Sequence, residues 1–68
     1  MSTIILGIDP GSRITGYGVV RALGPFKQEY LASGCIRVNG ETIGEKLKII
    51  HDGVTQLLQM YQPDEIAI

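Results

Sequence analysis

The stretch Ile4-Ile5-Leu6-Gly7-Ile8-Asp9-Pro10-Gly11-Ser12 decides the fold of this chain. Its aliphatic residues and one glycine run without a breaker up to Asp9, which is typical of a strand buried on both faces in the middle of a sheet. Asp9 would then lie at the carboxyl end of a central strand, where open α/β sheets bind their ligands. Because a carboxylate at the rim of a core is costly unless it is compensated, the stretch indicates either a divalent cation or a hydrogen-bonded turn.

The turn is the simpler interpretation of Asp9-Pro10-Gly11. These residue types suit the first three positions of a β-turn, and in that interpretation Gly11 takes a positive φ. Pro10 also biases Asp9 toward extended geometry, so a stiff strand end presents the carboxylate. The tripeptide alone is therefore compatible with both interpretations.

Length and composition restrict the class of protein. The chain has 68 residues, enough for at most one small domain of marginal stability. Its single cysteine, Cys35, leaves no internal disulfide, and the apolar residues around it predict a small buried side chain. The formal net charge is −1 and the basic residues are dispersed, so charge alone does not indicate nucleic acid. No segment resembles a signal peptide or a membrane span, and we expect a cytoplasmic protein.

Two further strands are predicted from their β-branched and aromatic content, at Ile14–Leu23 and Glu29–Val38. Short turns join the first three strands, so they should form an antiparallel meander. Period-two alternation assigns one face of the third strand to Tyr30, Ala32, Gly34, Ile36 and Val38. In the second strand Gly16 and Gly18 leave one face flat, either for a bend or to make room for a bulky ligand beside Asp9.

A helix follows, and Thr42-Ile43-Gly44-Glu45 matches the capping box at its start. Its apolar positions, spaced by alternating fours and threes, form one stripe: Ile43, Leu47, Ile50, Val54, Leu57 and Tyr61. Gly53 interrupts the helix and should let it lie close to the sheet, and Pro63 ends it. His51, isolated at the edge of the stripe, is predicted to be a half-buried packing residue or a surface residue. Asp52 and Asp64 are predicted to be helix-surface and loop charges.

The last segment, Glu65-Ile66-Ala67-Ile68, begins another apolar strand. A crossover helix between two strands of one sheet makes them parallel, so we expect this strand to pair alongside the first. The position that follows Ile68 would then lie beside Asp9. One carboxylate binds Mg²⁺ weakly, whereas two or more from neighbouring strand ends can hold a pair of ions about 4 Å apart. Because the strand stops without a turn or cap, we expect residues 1–68 to be a fragment of a longer protein.

Gly7–Val19, which reads Gly-Ile-Asp-Pro-Gly-Ser-Arg-Ile-Thr-Gly-Tyr-Gly-Val, resembles the amino-terminal motif of the RuvC family of bacterial Holliday-junction resolvases. Further segments match the family in order: Ser33–Ile36, Leu47–Val54 and Pro63–Ile68. The resemblance implies an α/β, ribonuclease-H-like nuclease domain with a mixed sheet. Residues 1–68 would supply an incomplete part of it: a three-strand antiparallel meander, one crossover helix and the start of a fourth strand parallel to the first.

The resemblance also implies an activity. The family is expected to be a homodimeric, Mg²⁺-dependent endonuclease that nicks symmetric strands of a four-way DNA junction in recombination and repair, with a branch-migration helicase complex as partner. In that family the carboxylate at Asp9 is a catalytic ligand of two metal ions. A glutamate is expected immediately after Ile68, and two further acids on a late helix. Without those acids, residues 1–68 should be inactive alone and hold metal weakly or not at all.

The neighbours of Asp9 are candidates for binding the substrate. The backbone amides of Gly11, Ser12 and Arg13, together with the Arg13 guanidinium, are placed by sequence to contact a phosphate. A side chain of Arg13 that points into water is the alternative.

Three other functions remain open from the sequence. Actin-like ATPases and sugar kinases also begin with a strand, an Asp and a glycine turn, although Arg13 and Ile14 stand where those loops favour hydroxyls. A ribonuclease-H-like family of ribosomal RNA maturation shares the fold. In the third interpretation the segment is not an enzyme, and its apolar surface and the unpaired edge at Glu65–Ile68 cause self-association by strand pairing.

Overall fold

The computed structural model describes residues 2–68, which form a four-stranded sheet and one helix. The elements are β1 (Thr3–Asp9), β2 (Ile14–Gly24), β3 (Lys27–Arg37), α1 (Ile43–Tyr61) and β4 (Glu65–Ala67). The strand order is β3-β2-β1-β4. β2 is antiparallel to both β1 and β3, and β4 is parallel to β1. The predicted architecture is confirmed: an incomplete ribonuclease-H-like mixed sheet made of a meander, a crossover helix and a fourth strand parallel to the first.

The helix packs on one face of the sheet, which we call the helix face. Its core consists of Leu6 from β1, Val19 from β2 and Leu57 from α1, none of them more than 7% exposed. Partly buried apolar side chains surround this core: Ile4, Ile8, Tyr17, Leu31, Ala32, Ile36 and Tyr61. Because successive strand residues point to opposite faces, the alternate positions lie on the other side, which we call the open face. Within residues 2–68 no helix covers the open face.

Because α1 covers only one face of the sheet, two expectations about burial were wrong. β1 occupies an interior position in the sheet, as predicted, but Leu6 is its only fully buried residue and its other aliphatic side chains are half-buried. Cys35 is exposed rather than buried, because it lies opposite Gly16 on the open face. The apolar surroundings of Cys35 in sequence include residues of the helix face, so they did not indicate its own environment.

A β-bulge in β3 corrects the predicted face of that strand. Val19 lies opposite Ala32, whereas the next residue of β2, Val20, lies opposite Tyr30, so Leu31 is the extra residue. The bulge reverses the alternation at this point. Tyr30 therefore shares the open face with Ser33, and their hydroxyl oxygens are 2.9 Å apart. The expectation that Tyr30 shares a face with Ala32 was wrong.

Both ends of α1 are capped. Thr42 is the N-cap, and its hydroxyl accepts a 3.1 Å hydrogen bond from the amide of Glu45, as the capping box predicts. The Glu45 carboxylate reaches back one residue further than expected, to the amide of Glu41 at 2.9 Å. At the other end Gln62 takes the left-handed conformation, with φ of 46°, directly before Pro63. These caps define the helix that connects β3 to β4.

Only the second half of the predicted apolar stripe packs on the sheet. Leu57 is buried, whereas Ile43 and Leu47 are 77% and 62% exposed. The close approach predicted at Gly53 is confirmed, because a Cβ placed there would lie 2.6 Å from Cδ1 of Ile36. Across residues 2–68, no helix combines the length and apolar character that crossing a bilayer requires.

Candidate functional site

Asp9 is the last residue of β1 and lies exposed at the edge of the sheet where β1, β3 and β4 end and β2 begins. We call this the carboxyl edge. Asp9 pairs with Gly16 of β2. Alternation from Leu6, which points into the core, assigns Asp9 to the open face. No group of residues 2–68 forms a hydrogen bond or an ion pair with its carboxylate, so both oxygens are available to a ligand.

The register of β4 bears directly on the surroundings of Asp9. Ile5 pairs with Glu65, and Gly7 pairs with Ala67. By the same register, any residue that followed Ile68 would lie opposite Asp9 and on the same face. Adjacent strands lie about 4.8 Å apart, so side chains at these two positions would be close neighbours. Among the described residues no three His, Cys, Asp or Glu side chains cluster to hold a metal ion, and Asp9 is the one carboxylate at this point.

A shallow cleft of about 490 Å³ adjoins Asp9. Five of its nine lining residues are glycine or alanine: it is lined by Gly7, Ile8, Asp9, Gly16, Tyr17, Gly18, Gly34, Ala67 and Ile68. A Cβ at Gly16 would make ordinary contact with the Cβ of Asp9 at 3.9 Å, and one at Gly18 would meet nothing within 4 Å. Neither position needs a glycine for packing. The absence of side chains at Gly16 and Gly18 therefore leaves open space beside Asp9.

The connection from Pro10 to Arg13 differs from the predicted turn. No glycine among residues 2–68 has a positive φ, so the expectation for Gly11 was wrong. Gly11 is required for another reason, since a Cβ there would collide with the carbonyl oxygen of Ile14. The side chain of Thr15, which is fully buried, forms hydrogen bonds with this connection. Its hydroxyl accepts a 3.4 Å hydrogen bond from the Gly11 amide and donates one of 3.3 Å to the Gly11 carbonyl.

The three predicted phosphate-binding residues lie in this connection, immediately beyond Asp9. Ser12 and Arg13 are exposed and Gly11 is half-buried. The amide of Gly11 is directed to Thr15, and the carbonyl of Arg13 accepts a 2.8 Å hydrogen bond from the amide of Val38. Hydrogen bonds therefore hold the backbone of this connection at both ends, at Gly11 and at Arg13. The Arg13 side chain has no partner within residues 2–68. The proposed contact of these residues with a phosphate stays a prediction.

Arg37 is a site candidate that sequence patterns did not single out. It ends β3 at the carboxyl edge, pairs with Ile14, and lies two residues beyond Cys35, which places it on the open face with Asp9. No carboxylate of the described chain pairs with it, whereas Arg21 binds Glu29 at 2.8 Å. Only the hairpin register reveals this placement, because the sequence shows Arg37 as one of several dispersed cations.

The remaining polar residues agree in part with expectation. His51 is a surface residue, 3.4 Å from the carboxylate of Asp52. Asp64 is also exposed, but it is not simply a loop charge, since its carboxylate accepts a 2.8 Å hydrogen bond from the backbone amide of Ile4. This contact joins the start of β4 to β1.

Comparison with known proteins identifies similar sequences along nearly the whole chain. Residues 5–68 match the family model described as Crossover junction endodeoxyribonuclease RuvC. A curated protein of that name from Hahella chejuensis (strain KCTC 2396) is 64% identical over 64 residues, which are 94% of this chain and 37% of the relative. Relatives of the same name from Shewanella sp. (strain ANA-3) and Tolumonas auensis are 60% and 59% identical, over 96% and 97% of this chain. The chain spans only 37% and 38% of the length of these two relatives.

Proposed function

This chain belongs to the RuvC family of crossover junction endodeoxyribonucleases, and we propose that the protein carrying it cleaves four-way DNA junctions as an enzyme of recombination and repair. Residues 1–68 would be the amino-terminal portion of its nuclease domain. The names of the relatives support a nuclease that acts on crossover junctions. Among the functions left open by the sequence, this is the one that the family match favours.

One structural observation carries the proposal to particular residues. Asp9 ends β1 with an exposed carboxylate that no described residue binds, and by the parallel register of β4 a residue that followed Ile68 would lie opposite it. An acidic side chain at that next position would form a pair with Asp9 across neighbouring strand ends. Paired carboxylates at this spacing suit phosphodiester hydrolysis, because they hold cations against the scissile phosphate.

The donor atoms at this edge fit a hard cation such as Mg²⁺. Carboxylate oxygens are the ligands that Mg²⁺ prefers, and Asp9 offers two that are accessible to solvent. Within the described residues Asp9 would be the only acidic ligand, so further ligands would come from other parts of the protein. Bound ions would supply charge neutralisation at the phosphate and at the leaving oxygen. Residues 1–68 alone would bind such ions weakly and would be inactive.

Cationic and backbone groups near Asp9 would position the DNA. Arg13 and Arg37 both lie at the carboxyl edge without a carboxylate partner among the described residues, so each is free to bind a phosphate. The amides of Ser12 and Arg13 are further candidate donors. The glycines at positions 16 and 18 would leave room for the sugar-phosphate backbone in the cleft beside Asp9.

The expected partners follow from the same proposal. Two symmetric cuts in a four-way junction require two active centres related by a twofold axis, which favours a homodimer. A branch-migration helicase complex and a cytoplasmic location are proposed on the family resemblance. Residues 1–68 in isolation should self-associate, because β4 lies at an edge of the sheet and one face has no cover among the described residues.

The role of Asp9 is tested by Asp9→Asn in the full-length gene product that contains this chain. The amide keeps the size of the side chain but loses the charge that holds a cation. We expect junction binding to survive and cleavage to fall by about 100-fold or more, the scale on which loss of one stabilising group lowers kcat. Gel-shift and single-turnover cleavage assays on a synthetic four-way junction measure the two quantities.

Asp52→Asn is the matched control, since Asp52 is an exposed carboxylate on the helix, apart from the carboxyl edge. It should leave both binding and cleavage unchanged. Cleavage by the Asp9→Asn protein at the wild-type rate would refute the proposed role of Asp9. A wild-type protein that binds no four-way junction would refute the proposed function as a whole.

A further inference from the structure

Asp64 is joined to Ile4 by two hydrogen bonds, and we call this pair the clasp. The amide of Ile4 donates to Oδ2 of Asp64 at 2.8 Å. In the other direction, the amide of Asp64 donates to the carbonyl of Ile4 at 2.8 Å. The side chain and the backbone amide of Asp64 thus each bind one backbone group of a residue that is 60 positions away in sequence.

The clasp is attached to the strand that has the least other support. β4 consists of three residues, all of them exposed, and its described ladder partner is β1 alone. Besides the clasp, which lies immediately before Glu65, its register depends on the pairing of these three residues with β1. A strand of this length with little buried surface is prone to slip against its neighbour.

A slip of β4 would alter the carboxyl edge. Because strand side chains alternate, a shift of one residue turns every side chain of β4 to the opposite face. A shift of two residues keeps the face but displaces each side chain by about 6.6 Å along β1. In either case the side chain that follows Ile68 would no longer lie opposite Asp9.

We propose that Asp64 is a positioning residue, which fixes the register of β4 on β1 and so keeps the position after Ile68 opposite Asp9. The inference rests on the proposed function, in which those two positions hold catalytic cations. Asp64 itself lies at the opposite end of β4 from the carboxyl edge. It acts through the backbone of β1.

Variants that keep or remove the acceptor oxygen of Asp64 test the role of the clasp. The carboxylate acts only as an acceptor toward Ile4, so Asp64→Asn retains an acceptor oxygen and should retain the register. Asp64→Ala removes the acceptor and leaves the amide of Ile4 without its partner. Asp52→Ala removes an exposed carboxylate from the helix and serves as the control for charge.

The experiment measures single-turnover junction cleavage by the full-length gene product as the Mg²⁺ concentration is varied, together with junction affinity and thermal stability. For Asp64→Ala we expect the half-saturating Mg²⁺ concentration to rise by about tenfold, within the range seen when a residue supporting a metal ligand is removed. Junction affinity should not change, and Asp64→Asn should behave as the wild type. Hydrogen exchange without metal should show faster exchange of the β4 amides in Asp64→Ala only.

Three outcomes would overturn the inference. An Asp64→Ala protein with wild-type Mg²⁺ dependence would show that the clasp does not position the site. An Asp64→Ala protein that fails to fold, or an Asp64→Asn protein as impaired as Asp64→Ala, would assign Asp64 to stability or to charge instead. Failure of the proposed function is distinguishable, because the wild-type protein itself would then cleave no junction at any Mg²⁺ concentration, while hydrogen exchange would still report on the clasp.

Discussion

Cδ1 of Ile36 lies 2.6 Å from the point that a Cβ atom would occupy at Gly53, so α1 crosses β3 with no side chain from position 53 between them. Cγ1 and Cγ2 of Ile36 are also close, at 3.1 Å and 3.3 Å from that point. Contacts this short cannot be accommodated without movement of the helix or of Ile36. This contact sets the spacing between the helix and the sheet.

Gly53→Ala should therefore destabilise the protein, although alanine is the better helix former. Overpacking costs about 1–3 kcal/mol, and the gain in helix propensity offsets about 1 kcal/mol of it. Chemical denaturation should show a net loss of about 1 kcal/mol. In an Ile36→Val background, which lacks Cδ1, the same substitution should be neutral or stabilising.

Gly44→Ala is the matched control for this prediction. Gly44 lies in the same helix, but a Cβ there would meet nothing within 4 Å. It should raise the free energy of unfolding by up to about 1 kcal/mol. If Gly53→Ala stabilised the protein in both backgrounds, the close contact with Ile36 would not be limiting.

Gly18→Val tests whether the missing side chain at this position of β2 serves the function of the protein or its stability. A Cβ at Gly18 has free space around it, so valine should leave stability unchanged or raise it by about 0.5 kcal/mol through strand propensity. The added side chain would enter the cleft beside Asp9 and should lower junction cleavage by at least tenfold. Unfolding and cleavage assays on the full-length protein measure the two effects.

Gly34→Ala provides the contrast, because its Cβ would lie 2.7 Å and 2.9 Å from Oη and Cζ of Tyr17. We expect a stability loss of about 1–3 kcal/mol from this crowding. Full cleavage activity in Gly18→Val would indicate that the space at Gly18 is not used by DNA.

Arg37→Ala should weaken junction binding in a manner that depends on salt. An arginine that neutralises one phosphate contributes about one unit to the slope of log affinity against log salt concentration. Loss of Arg37 should therefore reduce that slope by about one and leave the fold intact, since Arg37 is exposed and pairs with no described carboxylate.

Lys27→Ala is the control for Arg37, because Lys27 begins the same strand at the far end of the hairpin and is also exposed. Its removal should not change the slope. Binding titrations at several salt concentrations measure the affinity of both variants for the junction. Equal slopes for Arg37→Ala and the wild type would show that Arg37 does not bind a DNA phosphate.

Patterns within single segments were sufficient to predict the elements and the position of Asp9. The apolar run that stops at Asp9, the capping box at Thr42 and the breaker at Pro63 are local signals, and each element begins and ends close to them. The parallel pairing of β1 and β4 was also predictable, because a crossover helix leaves few alternatives. Each local signal is contained in a few adjacent residues, and the pairing of β1 with β4 follows from the order of the elements that those signals predict.

The features that sequence patterns missed depend on residues from two elements. The bulge at Leu31 requires the register of β3 against β2, and it moved Tyr30 to the open face. Gly11 is required by the carbonyl of Ile14 rather than by its own φ. Cys35 is exposed because no helix of the described chain covers the open face. No pattern within one segment contains this information.

The clasp between Ile4 and Asp64 has a kinetic consequence for how this segment is made. The hairpin of β2 and β3 closes between Gly24 and Lys27, three positions apart, whereas β4 must find a partner 60 positions earlier in the chain. Contacts that close long loops form later, since their entropy cost is met only after local structure exists. During synthesis, Asp9 would already lie at the end of an ordered strand before β4 had paired beside it.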